Sequence, residues 1–518
     1  MTTTFILVPG TFTGDQVWDG TAEGLAAAGA EAHAVTLTGL GGRGGTPATG
    51  VDLETHIADV VRLIDSVGTA GGQDIVLVGH DYGMHPVLGA ADRRAGRVAR
   101  IVCLDTGLPQ DGVPALATVP DQGVREELRT RAGQDAPVGE EVLPVPDSGA
   151  AWQRWGSTAG VPEEALDRLT RLAAPQPLGT LLQPLRLTGA ASAVPTTGVL
   201  CTANGASIEM VQMQVGLGNP ALRALADRRV GFFELPTGHW PMLSCPGELV
   251  TVLLRAAAGE GHRLTPATDE RPGHLRPFLL DLPDVPRERS GNLDLYLPPE
   301  GEGPCPAVVL VHGGPVPADA RPTPRDWPTL TGYGRLAALR GVVGVTLDHR
   351  LHEITDHARA AEDVAAAVDL VRADPRVDPD RVALWFFSGG GLLAADWLAA
   401  PPVWLRCVAA NYPILAPLPN WGLGDSRFRP VRAVRGAGEL PVVLLRAGLE
   451  MPEIAVTVAE FLAAAEECGA AVEVIDVPEG HHGFETVDPT DASRDAVHRA
   501  MSSVLSHLTA RSSDRQAA

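Results

Sequence analysis

The stretch Ile75–Ala90, IVLVGHDYGMHPVLGA, decides the fold. Its aliphatic and β-branched start reads as a buried strand, and its end follows a helix-like apolar pattern. Between them lies Gly79-His80-Asp81-Tyr82-Gly83, a turn sharp enough to strain the backbone of its central residue. Small residues two before and two after that centre are needed because bulky ones would collide. Such a strand–turn–helix presents a nucleophile, most often Ser, at the edge of a sheet. Here the central residue is Asp81. A second turn of the same kind, Phe386-Phe387-Ser388-Gly389-Gly390, keeps Ser at its centre but has Phe386 where a small residue is expected.

Around the first turn, strands and helices alternate. Phe5–Val8 reads as a strand, Trp18–Ala28 as a helix, Glu31–Leu37 as a strand and Leu53–Val67 as an amphipathic helix. Val98–Leu104 follows as a strand ending at Asp105. That alternation implies a mostly parallel sheet covered by helices on both faces, an α/β architecture. Gly39–Gly50 is a Gly-rich loop. Residues 106–194 are Pro-rich with two short helical runs and read as a helical lid. Strands Gly198–Thr202 and Val230–Leu235 resume the sheet. A first domain over residues 1–258 is therefore expected, then a polar linker over 259–275. The plan restarts in a second domain over 276–510, with 511–518 as a frayed tail.

The two halves repeat one another in spacing. Pro9 to Asp81 is 72 residues and His312 to Ser388 is 76. From the turn to a late His the separations are 158 (Asp81 to His239) and 94 (Ser388 to His482), a difference of about one lid.

The bulk numbers bound the function. At 518 residues the chain exceeds what one core usually holds. Hydrophobic content of 45% with 20% charged residues describes an ordinary globular protein. A formal net charge of −22 argues against nucleic acid or an anionic membrane as partner. There is no Lys among the 41 basic residues, which excludes Schiff-base and P-loop lysine chemistry. The six Cys are scattered without metal-site spacing, and no cofactor or metal is expected. The Asp–His runs at 348–353 and 356–357 read as solvated loop and helix start. No apolar run is long enough to span a membrane and no leader pattern is present, so a cytoplasmic protein is expected. The partner is a small-molecule substrate. Pairing of the two domains within the chain is expected, with a homodimer left open.

Four ordered motifs in each half resemble the α/β-hydrolase superfamily. Phe5–Gly10, Leu37–Gly41, Gly79–Gly83 and Gly238–Leu243 resemble the small esterase and hydroxynitrile-lyase-like branch. His312-Gly313-Gly314, the Ser388 turn, Arg446–Glu450 and His482-Gly483-Phe484 are similar to the dienelactone-hydrolase and acetyl-esterase type. The resemblance implies two tandem α/β-hydrolase domains, the first with a lid.

For the first half it implies a site of Asp81 and His239, with Asp105 as the acid partner of His239 and Glu209 a weaker candidate. The backbone N–H groups of Thr11 and Tyr82 would form the oxyanion hole, with Phe12 in the same substrate-binding loop. Trp152 or Trp155 could serve a dehalogenase as halide donors, although two Trp in a lid are more often packing. A carboxylate and an imidazole facing each other in a dry pocket suit proton abstraction rather than acylation. The main expectation is therefore non-hydrolytic chemistry (cofactor-free oxygenation, elimination or C–C chemistry) on a bulky apolar substrate, associated with bacterial secondary metabolism. The alternative is a serine esterase or thioesterase in the second half: Ser388 as nucleophile, His482 as base, Glu450 as acid, with Gly313, Gly314 and Gly389 holding the oxyanion. A further alternative is an Asp-nucleophile dehalogenase or epoxide hydrolase through Asp81. Phe386 is expected either to push the following helix off its strand or to fill the oxyanion pocket.

Overall fold

The computed structural model describes residues 3–41, 50–67, 75–132, 141–216, 220–265, 272–299, 303–423 and 426–509. The Gly-rich loop expected over 39–50, part of the expected linker and the expected tail at 511–518 lie largely or wholly outside them. The chain divides into two compact units near residue 266.

The first unit is built on a six-stranded, all-parallel sheet. Its strands are β1 (Thr4–Val8), β2 (Glu31–Ala34), β3 (Ile75–His80), β4 (Val98–Leu104), β5 (Thr196–Cys201) and β6 (Val230–Leu235), in the order β2-β1-β3-β4-β5-β6. β1 and β3 are buried along their whole length, as the near-continuous apolar runs require of central parallel strands. Leu53–Ser66 covers the sheet with its apolar stripe, and Asp52 caps its start by accepting from the Thr55 N–H at 2.9 Å. Between β4 and β5 run short helices, Gln122–Ala132, Gly149–Gln153, Glu163–Leu172 and Leu178–Leu182, and a two-residue pairing of Val142–Leu143 with Gln176–Pro177.

The second unit holds an eight-stranded mixed sheet. Its strands are β7 (Arg287–Ser290), β8 (Leu293–Tyr296), β9 (Cys305–Val311), β10 (Val343–Leu347), β11 (Val377–Phe387), β12 (Leu405–Asn411), β13 (Val442–Ala447) and β14 (Val472–Val477), ordered β14-β13-β12-β11-β9-β10-β8-β7. The β7–β8 hairpin and the β8–β10 pair are antiparallel; the remaining pairs are parallel. Helices Pro328–Leu339 and Asp491–Thr509 pack their apolar sides into one core with Trp385 and Phe387 of β11. Thr11, Asp81, Asp105 and His239 in the first unit and Gly313, Ser388, Glu450 and His482 in the second follow the carboxyl ends of strands.

Candidate active site

In the first unit β3 delivers Asp81 at φ +49°. The flanking glycines are sterically required: a Cβ on Gly79 would lie 2.8 Å from the Met84 Cα, and one on Gly83 would strike the Pro9 carbonyl. Asp81 Oδ2 accepts from the Thr11 N–H at 3.0 Å and the Thr11 hydroxyl at 2.6 Å. The neighbouring Phe12 N–H donates to Gln176 Oε1 at 2.9 Å. The Thr11 amide, expected with that of Tyr82 to hold a substrate oxyanion, is therefore already engaged by Asp81, and the Phe12 amide by Gln176. The Tyr82 side chain is buried, its hydroxyl 2.7 Å from His56 Nδ1.

His239 Nδ1 lies 2.7 Å from Asp105 Oδ2. Asp105 itself sits at φ +49°, fixed by the Cys201 N–H at 2.9 Å and by Asn204 Nδ2 at 2.7 Å. No hydrogen bond joins Asp81 to His239: Thr11 holds the carboxylate and Asp105 the other imidazole nitrogen, though the two charges still act on one another. His239 Nε2 is buried without a hydrogen-bond partner. Burial would lower the His239 pKa, but the Asp105 hydrogen bond and charge, with Asp81, outweigh it and raise the value. Burial would raise Asp81, but the charges of His239 and His80 and the Thr11 hydrogen bonds hold it below the ordinary carboxylate value. His80, whose Nε2 donates to the His239 carbonyl at 2.7 Å, is pushed down to about 4 by burial and by His239. A cavity of about 350 Å³ borders Asp81, Asp105 and His239.

Trp152 and Trp155, candidate halide donors in a lid where two Trp are more often packing, both pack against Phe12. Trp152 is fully buried, donates to the Thr170 hydroxyl at 2.9 Å and meets Phe12 edge-on at 5.9 Å. Trp155 meets the same ring at 4.7 Å.

The second unit assembles differently. β9 ends in His312-Gly313-Gly314 beside the turn at Ser388, which holds φ +51°. A Cβ on Gly313 would lie 2.8 Å from the Ser388 Cβ, and a Cβ on Gly389 would strike the Gly314 carbonyl, so only glycines let these backbones meet. Ser388 Oγ lies 2.7 Å from His482 Nε2. His482 Nδ1 lies 2.8 Å from Glu450 Oε2 and 3.0 Å from Oε1. Glu450 is oriented in turn by the Met451 N–H at 2.9 Å. The His482 side chain is 13% exposed and that of Glu450 4%, an imidazole within reach of solvent backed by a nearly dry carboxylate.

Phe386 does not prevent this arrangement. It stays in register in β11, opposite Val311 and Ala410, and is fully buried. The chain leaves Ser388 as a 3-10 helix through Ala394 and becomes α-helical only at Ala395–Ala399, where the first unit turns α-helical at Met84. Gly389-Gly390-Gly391 make that tighter path passable. Among the described residues no group of three or more His, Cys, Asp or Glu is placed to hold a metal. His349 stacks on His312 at 3.6 Å, and Arg350 pairs with Asp363. His481 is exposed, its Nδ1 3.2 Å from Asp488.

Tyr412, Asn411, Glu485 and Gln176 shape the two sites without belonging to any motif. Tyr412 follows β12 at φ +36°, and its ring lies 4.7 Å from that of His482.

Fold and site define an α/β-hydrolase, and the chain belongs to the alpha/beta hydrolase family. Residues 5–252 match that family's profile, and residues 293–399 match BD-FAE. A carbendazim hydrolyzing esterase of Nocardioides sp. (strain SG-4G) is 30% identical over 258 residues, 48% of this chain and 97% of that protein. Among solved structures, EstE1, a thermophilic carboxylesterase cloned from a metagenomic library, is 21% identical, covering 45% of this chain and 92% of its own with a TM-score of 0.37. A thermostable esterase from Pseudomonas putida ECU1011 is 17% identical over 44% of this chain and 84% of its own, with a TM-score of 0.36.

Proposed function

We propose that the chain is a serine esterase whose acyl chemistry runs in the second unit. The observation that carries this reading is the unbroken hydrogen-bonded line from Ser388 Oγ through His482 to Glu450. Ser388 Oγ attacks the ester carbonyl while His482 Nε2 takes its proton. Glu450 fixes the imidazole's orientation and stabilises the imidazolium that forms. The backbone amides of Gly314 and Gly389, with Gly313 beside them, are the donors for the tetrahedral oxyanion. His482 then returns the proton to the leaving alcohol, and a water it activates hydrolyses the acyl-enzyme. The esterase relative supports ester hydrolysis as the class of reaction.

In the same reading the first unit is a non-acylating partner domain with 106–194 as its lid. Gly156 packs on the His239 ring, and the Ser157 carbonyl accepts from the His239 N–H at 2.7 Å, so this segment covers the imidazole.

Hydrolysis of 4-nitrophenyl acetate and labelling by a fluorophosphonate test the proposal. Ser388→Ala is expected to abolish labelling and to lower kcat by about 10³-fold or more, whereas Asp81→Asn leaves both in place. Labelling that survives Ser388→Ala defeats it. The unpaired His239 Nε2 beside the cavity favours one second reading, proton transfer from an apolar substrate in the first unit. It requires a turnover that Ser388→Ala spares and His239→Ala removes.

A further inference from the structure

Glu485 is a fully buried carboxyl three residues after His482, and the acyl chemistry has no use for it. It sits in a buried polar cluster, its Oε2 without a hydrogen-bond partner. Its Oε1 accepts from Asn411 Nδ2 at 2.5 Å and from the Tyr333 hydroxyl at 3.1 Å. Asn411 Nδ2 also donates to the Tyr333 oxygen at 2.7 Å, and Asn411 Oδ1 accepts from Trp385 Nε1 at 2.8 Å. Every side chain in this cluster is rooted in a part that frames the triad. Trp385 lies on β11, three residues before Ser388. Asn411 ends β12, Tyr333 is in Pro328–Leu339, and Glu485 lies in the short helix Phe484–Val487 that follows His482.

The cluster leads to the imidazole through Asn411 and Tyr412, and the Tyr412 hydroxyl also interacts directly with the Glu485 carboxyl. Asn411 is pinned by three partners, and the next residue, Tyr412, is held at φ +36°, a conformation a non-glycine residue keeps only when its surroundings dictate it. That conformation lays the Tyr412 ring on His482 at 4.7 Å and against Phe484 at 5.7 Å. The Tyr412 N–H is also tied to the Leu445 carbonyl at 2.9 Å. Without Glu485 the Asn411 amide loses one of its two acceptors, the strain at Tyr412 is free to relax, and the ring supporting the imidazole shifts.

We propose that Glu485 is a positioning residue for His482, acting through Asn411 and Tyr412 to keep the imidazole on Ser388. The proposal rests on the reading of Ser388, His482 and Glu450 as the triad. Burial holds the Glu485 carboxyl above the ordinary carboxylate value, so a neutral side chain of the same shape replaces it well.

The test follows the His482 ring in the full chain by its NMR titration, assigned through His482→Gln, alongside turnover of 4-nitrophenyl acetate. In Glu485→Leu and in Tyr412→Ala the His482 titration midpoint is expected to move and kcat to fall about tenfold with little change in KM. Glu485→Gln restores both. The double variant is no worse than either single one, because both cut the same route. A His482 titration and kcat unchanged in folded Tyr412→Ala or Glu485→Leu would overturn the proposal, as would a Glu485→Gln variant as impaired as Glu485→Leu. Should Glu485→Leu fail to fold, Tyr412→Ala decides. An unlabelled, inactive wild type counts against the esterase reading alone, because the His482 titration still reports on positioning.

Discussion

Asp81 at φ +49° and Ser388 at φ +51° each follow the last residue of a buried strand, yet their neighbours treat them differently. Thr11 binds the Asp81 carboxylate through both its amide and its hydroxyl, whereas Gly313 and Gly314 beside Ser388 have no side chain with which to do so. Asp81→Asn is expected to cost about 1.5–3 kcal/mol at neutral pH, the worth of hydrogen bonds to a charged group. Because the Asp81 pKa is lowered on folding, its contribution is complete above the unfolded carboxylate value of about 3.9 and is lost as pH falls through the folded value. Chemical denaturation from pH 7 to pH 3 checks this: the stability gap between wild type and Asp81→Asn narrows below about pH 4. At this scale the motifs pointed to Ser388, His482 and Glu450 by order and spacing. They did not point to Gln176, Asn411 or Glu485, whose parts depend on long-range contacts that no local pattern encodes.

At the scale of elements, the second turn shows how a bulky residue is accommodated at a position that ordinarily takes a small one. Phe386 remains in its strand, and three consecutive glycines let the chain wind tightly past it. A Cβ on Gly390 would strike the His312 carbonyl, so Gly390→Ala is expected to spread the turn from the oxyanion loop and to lower kcat at least tenfold at unchanged KM. Phe386→Ala is expected to cost about 3–5 kcal/mol in denaturant titration and to bring no gain in activity, because the ring fills core rather than obstructing chemistry. Periodicity located most strands, Val230–Leu235 among them, because buried parallel strands are continuous apolar runs. It passed over β12, LRCVAAN, whose short run opens with Arg406 and follows two prolines.

For the whole molecule, a formal charge of −22 spread over a chain whose every cation is Arg or His makes self-repulsion a measurable term. Raising ionic strength from ~10 to ~150 mM shortens the Debye length from ~30 to ~8 Å and is expected to raise the Tm in calorimetry. Among the described residues no helix is long and apolar enough to cross a membrane. The α/β class and a second sheet-rich region in the C-terminal half were legible because alternation and turn signals are local. Which half forms an unbroken hydrogen-bonded line from turn residue to acid could not be decided between the two, because it depends on the partners each amide and carboxylate finds after folding. In the first unit a negatively charged oxygen of the protein already rests on Thr11, while His239 and Asp105 remain coupled behind it. A laboratory wishing to awaken that half would therefore start from Asp81→Ser, which trades the resident anion for a hydroxyl and leaves the amide vacant for a visiting carbonyl.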